Sequence, residues 1–78
     1  MLVFRYTGGD KVGKNAMQGT MDEILSEIIK MNGGWEAVLA LHYYLEVDGS
    51  RAYIEVVKKR GRVWYEYEVV RNGGVNDN

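Results

Sequence analysis

The sequence predicts an α+β domain, with one helix packed on one face of a four-stranded, mostly antiparallel sheet, in the order β-α-β-β-β. Two observations predict this class. One segment has the apolar spacing of an amphipathic helix, and the segments around it alternate between apolar and other residues, as strands do. A single helix covers only one face of such a sheet, so the second face is expected to lie open.

The 78-residue chain is expected to form one domain over residues 1–71, followed by a disordered polar tail over residues 72–78. Hydrophobic residues make up 46% of the sequence, which argues against a natively disordered chain. The chain has no cysteine, so no disulfide or thiolate metal site can support so small a core. Self-association is therefore expected to contribute to its stability.

The first strand is predicted over residues 2–7 and the helix over residues 21–32. Thr20 and Glu23 have the spacing of a capping box, which satisfies free backbone N–H groups at a helix start. Asn32, Gly33 and Gly34 tolerate the left-handed conformation that ends a helix. The apolar stripe of this helix consists of Met21, Ile24, Leu25, Ile28 and Ile29.

The segment 35–47 is predicted to be a strand, because every second residue is apolar. Its core side would carry Trp35, Ala37, Leu39, Leu41, Tyr43, Leu45 and Val47. Asp48 and Gly49 predict a hairpin turn. Folding the chain there would pair Leu45 with Ala52, Tyr43 with Ile54, Leu41 with Val56, Glu46 with Arg51, Tyr44 with Tyr53, and His42 with Glu55.

A second hairpin is predicted to turn at Gly61, after which Val63, Tyr65, Tyr67 and Val69 would continue the core face. The position of the first strand stays open. A helical crossover permits it beside the second strand or at the far edge next to the fourth.

The stretch "YTGGDKVGKN" has the glycine and lysine spacing of a phosphate-binding loop, but its context does not fit. Asn15 stands where Ser or Thr would hold magnesium, and Gly19 interrupts any helix that starts at Lys14. The capped helix begins only after Thr20. We interpret the stretch as a glycine-rich connection.

The open face is predicted to be an aromatic surface in an acidic frame, and it is the first candidate binding site. Its candidate contact residues are Tyr44, Arg51, Tyr53, Trp64 and His42. Aromatic residues and arginine dominate binding energy at interfaces. Burial against a second copy of the chain, binding of another protein or small molecule, and plain strand preference for aromatics are the three interpretations left open.

An anion-binding site is the alternative, formed by the basic turn and the glycine-rich loop. Its candidate residues are Lys11, Lys14, Lys58, Lys59, Arg60 and Arg62. The ligand would be a nucleotide or single-stranded nucleic acid. The acidic residues expected on the open face argue against a nucleic-acid platform there, and a solvated hairpin tip is the simpler interpretation of the turn.

Catalysis is the weakest hypothesis. His42, the single histidine, is expected opposite Glu55, but no nucleophile or substrate pocket accompanies the pair. One histidine without cysteine predicts no metal site, and no cofactor is expected. The sequence therefore predicts a small, homo-oligomeric, non-enzymatic protein of the cytoplasm that binds another protein, for instance as its inhibitor. A net charge of −1 predicts no general attraction to nucleic acid or membranes.

Overall fold

The computed structural model describes residues 2–10, 16–46 and 48–70, which form one five-stranded antiparallel sheet and one helix. The elements are β1 (Val3–Gly9), β2 (Gln18–Gly19), α1 (Met21–Met31), β3 (Val38–Leu45), β4 (Arg51–Lys58) and β5 (Gly61–Val70). The strands lie in the order β2-β1-β5-β4-β3. The α+β class is confirmed.

The predicted strand count was wrong by one. The additional strand, β2, pairs with Phe4 and Arg5 of β1. It has only two residues, so it leaves no alternating pattern in the sequence. The element order is therefore β-β-α-β-β-β. Strand β1 lies beside β5, which answers the question of its position and leaves β3 at one edge of the sheet.

Helix α1 begins and nearly ends where the sequence predicts. The Thr20 hydroxyl accepts a hydrogen bond from the backbone N–H of Glu23, and the Glu23 carboxylate accepts one from the N–H of Thr20, so the capping box is confirmed. The helix ends at Met31, with Asn32 as the capping residue. Its buried side chains are Ile24, Ile28 and Ile29. Burial of each stabilises the fold by roughly 1.5–3 kcal/mol.

The predicted register of the first hairpin is confirmed. Leu45 pairs with Ala52, Tyr44 with Tyr53 and His42 with Glu55. Of the two predicted turn residues, only Gly49 has a positive φ, of 73°. In the second hairpin, Lys58 pairs with Gly61 across the two-residue turn.

The predicted alternation fails at the start of β3. Residues 35–37 form a turn, in which the Ala37 N–H donates to the Gly34 carbonyl at 3.0 Å, and the strand begins only at Val38. A bulge between Val38 and Ala40 then reverses the pattern. Val38 is buried, whereas Trp35 and Leu39 are 69% and 61% exposed. The glycines that end the helix must turn the chain before a strand can form.

The core lies between α1 and the sheet. Its sheet side includes Phe4 of β1, Ile54 and Val56 of β4, and Tyr65 and Tyr67 of β5. The described residues do not include positions 11–15 of the glycine-rich connection, with Lys11 and Lys14, nor Val47, which was predicted to face the core, nor the predicted tail over residues 72–78. Gly8 and Gly9 of that connection belong to β1. Helix α1 is neither long nor apolar enough to cross a membrane, and it is the one helix in the part of the chain that the structure describes.

Candidate functional site

The open face is the surface of the sheet opposite α1, and its side chains form four rows across the strands. The first row consists of Arg5, Glu68, Arg51 and Glu46. The second consists of Glu66, Tyr53 and Tyr44, the third of Trp64, Glu55 and His42, and the fourth of Arg62, Val57 and Ala40. All five predicted contact residues therefore lie on one face, within the first three rows.

The acidic residues of β4 and β5 on this face are each paired with an arginine. Arg5 forms an ion pair with Glu68. The guanidinium nitrogens of Arg51 and Arg62 lie 3.5 Å and 3.2 Å from carboxylate oxygens of Glu66 and Glu55. The predicted acidic frame is thus largely neutralised within the sheet, since cross-strand and diagonal pairs bring opposite charges together.

Glu55 is the buried centre of this network, with only 6% of its surface exposed. One carboxylate oxygen lies 3.2 Å from a guanidinium nitrogen of Arg62, and the other lies 3.2 Å from Nδ1 of His42. The expected His42–Glu55 pair therefore exists, but no serine lies beside it. The Ser50 hydroxyl donates to Asp48 in the hairpin turn, and Ser26 is on the exposed side of α1. The pair has the geometry of a structural cross-strand contact.

Three aromatic side chains form the middle of the open face. Tyr44 and Trp64 are 50% and 41% exposed, and Tyr53 lies directly opposite Tyr44 and diagonally to Trp64. The Tyr53 hydroxyl donates a 2.9 Å hydrogen bond to the carboxylate of Glu46. This bond raises the pKa of Tyr53. The aromatic centre thus consists of the exposed Tyr44 and Trp64 and the half-buried Tyr53, whose hydroxyl Glu46 holds in place.

The basic turn borders the other candidate site, a groove of about 610 Å³ at the end of β4 and β5. Four cationic side chains line it: Lys58, Lys59, Arg60 and Arg62. Glu36, Ala37 and Val63 also line it. Of the carboxylates that the structure describes, only Glu55 pairs with any of these four, through Arg62. The turn therefore presents positive charge around a concave surface.

The glycine-rich loop begins at the same end of the sheet as the basic turn. Asp10, the last described residue before the loop, exchanges hydrogen bonds of 2.7 Å and 2.9 Å with the backbone of Trp64. Gly9 pairs with Tyr65, which is four residues along β5 from Gly61, or about 14 Å. Lys11 and Lys14 themselves lie outside the described residues.

A second exposed apolar surface was not expected from the sequence. We call it the edge cluster; it consists of Trp35, Leu39, Tyr43 and Leu45. All four were predicted to face the core, but they are between 49% and 69% exposed. The sequence contains one hint: seven predicted core positions in one strand exceed what an 11-residue helix can cover.

Comparison of the chain with protein-family models, with curated proteins and with solved structures finds no match. The residues that the structure describes contain no group of three or more His, Asp and Glu side chains that could hold a metal ion. The candidate sites therefore have to be interpreted from their own geometry.

Proposed function

We propose that the chain is a small non-enzymatic binding protein that contacts another protein through the open face. The observation that carries this proposal is the aromatic centre, in which the exposed Tyr44 and Trp64 flank the half-buried Tyr53, beside paired charges. Protein interfaces have this composition, with aromatic residues in the middle and polar residues around them. An inhibitor that occupies a surface of its target is one role for such a protein.

The pairing of the charges favours a protein partner over a nucleic acid at this face. Glu55, Glu66 and Glu68 lie among the aromatic side chains, and each already holds an arginine. Single-stranded nucleic acids need aromatic residues mixed with unpaired cations. A protein can instead cover the aromatic centre while the paired charges stay hydrated at its rim.

The test is affinity capture with Trp64→Ala and Tyr44→Ala, each compared with wild type. The double variant Lys59→Glu/Arg60→Glu is the matched control, because it changes exposed residues of the same hairpin away from the aromatic centre. We expect the two aromatic variants to lose partners that the control retains, by at least about tenfold in recovered amount. If the aromatic variants and wild type recover the same partners equally, the open face is not the binding site.

An anionic ligand at the basic turn is the second candidate function. The groove of about 610 Å³ between Lys58, Lys59, Arg60 and Arg62 supports it. The ligand would be a nucleotide or a single-stranded oligonucleotide, and Lys11 and Lys14 would add to the positive charge. Such binding should weaken steeply as salt is raised.

Fluorescence titration with ATP and with a labelled oligothymidylate tests this alternative at two salt concentrations. Binding that disappears in Lys59→Glu/Arg60→Glu, persists in Trp64→Ala and weakens at high salt would support the anionic ligand. Absence of binding to either probe at low salt would count against it.

A further inference from the structure

The two edges of the sheet differ in how well they are protected against pairing with another strand. One edge is formed by β2, which has only two residues. The other is β3, eight residues with the sequence VLALHYYL. Exposed edge strands normally carry lysine, proline or inward-pointing charges that prevent pairing. Strand β3 contains no Asp, Glu, Lys, Arg or Pro.

Among the residues that the structure describes, no strand pairs with the outer side of β3, so this edge presents backbone hydrogen-bonding groups without a strand partner. The N–H of Glu46 donates to the carbonyl of Arg51 at 3.0 Å, so the even-numbered residues direct their backbone groups towards β4. Alternation then directs the N–H and C=O groups of Leu41, Tyr43 and Leu45 away from the sheet. These groups are a template for a further antiparallel strand.

The side chains beside this edge form an apolar groove and also include an apolar residue that could fill such a groove in a second copy. A groove of about 470 Å³ lies between α1 and β3, and its apolar lining includes Leu25, Ile29, Trp35 and Leu41. Tyr43 is 49% exposed and belongs to the same face of the sheet as Leu41. The strand therefore carries both an apolar groove and a large apolar side chain able to fill one.

We propose that β3 pairs with β3 of a second copy of this chain, antiparallel and about a two-fold axis through His42. This register places Leu41 opposite Tyr43 of the second copy, so each Tyr43 enters the other copy's groove. It also places Ala40 opposite Tyr44 of the second copy. Centring the pair on Tyr43 would instead place the two Tyr43 side chains opposite each other and leave both grooves unfilled.

The pairing gives a closed dimer with a ten-stranded sheet. In the described part of the chain, the strand at the opposite edge is the two-residue β2, which is too short to pair with a further copy in the same way. Trp35 and Tyr43 are 69% and 49% exposed. Together they can bury roughly 200 Å² per copy before the leucines and backbone are added, against about 600 Å² per partner in small stable interfaces.

An axis perpendicular to the sheet keeps both helices on one side and both open faces on the other. Self-association at this edge therefore leaves the aromatic centre accessible to another protein. The dimer does not depend on the proposed function, and its tests measure only the association of the chain with itself.

The first test uses single cysteines in a chain that has none of its own. In His42→Cys, the two cysteines would be a directly opposed pair without backbone hydrogen bonds, with Cα atoms about 4.5 Å apart, which suits a disulfide. Tyr44→Cys is the matched control on the same strand and face. Its two cysteines would be about 14 Å apart along the strand, too far to bridge.

We expect oxidised glutathione to convert His42→Cys to a covalent dimer at least tenfold faster than Tyr44→Cys at equal protein concentration. Equal rates for the two variants would overturn the proposed register and with it the proposal. Circular dichroism of both variants before oxidation confirms that each has kept its fold.

The second test is sedimentation equilibrium of the unmodified chain and two lysine variants. Wild type should show twice the 8.9 kDa mass of one chain. Tyr43→Lys should weaken the dimer at least tenfold, because it places a charge at the paired edge. Trp64→Lys, on the open face of the central strand, should leave it unchanged. A monomeric wild type, or a dimer lost only in Trp64→Lys, would overturn the proposal.

Discussion

The side-chain amide of Asn32 donates a 3.1 Å hydrogen bond to the hydroxyl oxygen of Tyr65, which joins the end of α1 to the central strand β5. The same amide nitrogen donates to the carbonyl of Ile28 at 2.8 Å. Asn32 and Tyr65 are both at most 2% exposed. This buried contact holds the helix against the sheet at the point where the chain turns towards β3.

Asn32→Ala should lower the free energy of unfolding by about 1–3 kcal/mol, because it leaves the Ile28 carbonyl and the Tyr65 hydroxyl without this donor. Tyr65→Phe should cost only about 1 kcal/mol, because the Asn32 amide keeps its bond to Ile28. Urea unfolding at pH 7 measures both values. Equal stability of Asn32→Ala and wild type would show that the contact contributes nothing.

Gly9→Ala should destabilise the fold far more than Gly8→Ala. Gly9 has a φ of 104°, and a Cβ there would clash with the carbonyl oxygen of Trp64. The nearest atom to a Cβ on Gly8 is a side-chain oxygen of Glu66 at 3.8 Å. We expect a loss of at least about 2 kcal/mol for Gly9→Ala and less than about 1 kcal/mol for Gly8→Ala. Thermal unfolding of the two variants, monitored by circular dichroism, provides the comparison, and similar losses would contradict the close approach of Gly9 to β5.

Arg62→Met should destabilise the fold, whereas Arg60→Met should not. Arg62 lies 3.2 Å from the carboxylate of Glu55, whose side chain is only 9% exposed, and its loss leaves that buried charge with one partner fewer. Because Arg62 is itself largely exposed, the expected cost is about 1–2 kcal/mol. Arg60→Met should stay within about 0.5 kcal/mol of wild type. Urea unfolding of both variants checks the difference, and a cost for Arg60→Met equal to that for Arg62→Met would argue against a specific role for the pair.

Stability should fall above about pH 10, because burial raises the pKa of Tyr67 and of Tyr65. The Tyr67 hydroxyl donates to the Ala16 carbonyl at 2.6 Å. Unfolded tyrosine titrates near pH 10, while the folded chain keeps its protons at higher pH. Unfolding therefore releases protons above that pH. The stability gained from these groups is complete below pH 10 and decreases above it by up to about 1.4 kcal/mol per pH unit for each tyrosine.

Urea unfolding between pH 8 and 11 measures this slope. Tyr67→Phe should be less stable than wild type at pH 8, because it loses a hydrogen bond, and should show a smaller decrease towards pH 11. Tyr44→Phe leaves both buried hydroxyls in place and should keep the wild-type slope. A slope unchanged in Tyr67→Phe would contradict the role of that residue.

Local patterns were sufficient for the parts of the fold that depend on near neighbours. The capping box, the apolar stripe of α1 and the register of the β3–β4 hairpin all follow from residues a few positions apart or joined by one short turn. That register places Tyr44 and Tyr53 on one face, and the register of the β4–β5 hairpin places Trp64 on the same face. These features were predictable because helix caps, turns and strand alternation are short-range properties of the chain.

The parts of the fold that the sequence predicted wrongly depend on contacts between residues far apart in the chain. Strand β2 exists because Gln18 and Gly19 meet β1, not because they favour a strand. Leu39 and Tyr43 were predicted to be buried, but their strand lies at an edge that α1 does not fully cover. The sequence also did not reveal that each open-face glutamate of β4 and β5 pairs with an arginine. Two of these pairs join diagonal neighbours on adjacent strands, and the third joins Arg5 to Glu68.

The sequence by itself determined the helix, the hairpins and which residues of β4, of β5 and of positions 41–45 in β3 share each face of the sheet, since side-chain spacing and turn residues act over short distances. Only the tertiary structure decided that β1 lies beside β5. That placement makes β3 an edge strand, exposes the edge cluster and brings Arg5 to Glu68. The physical reason is that the helical crossover permits either edge for β1, and only packing of the whole core selects one of them.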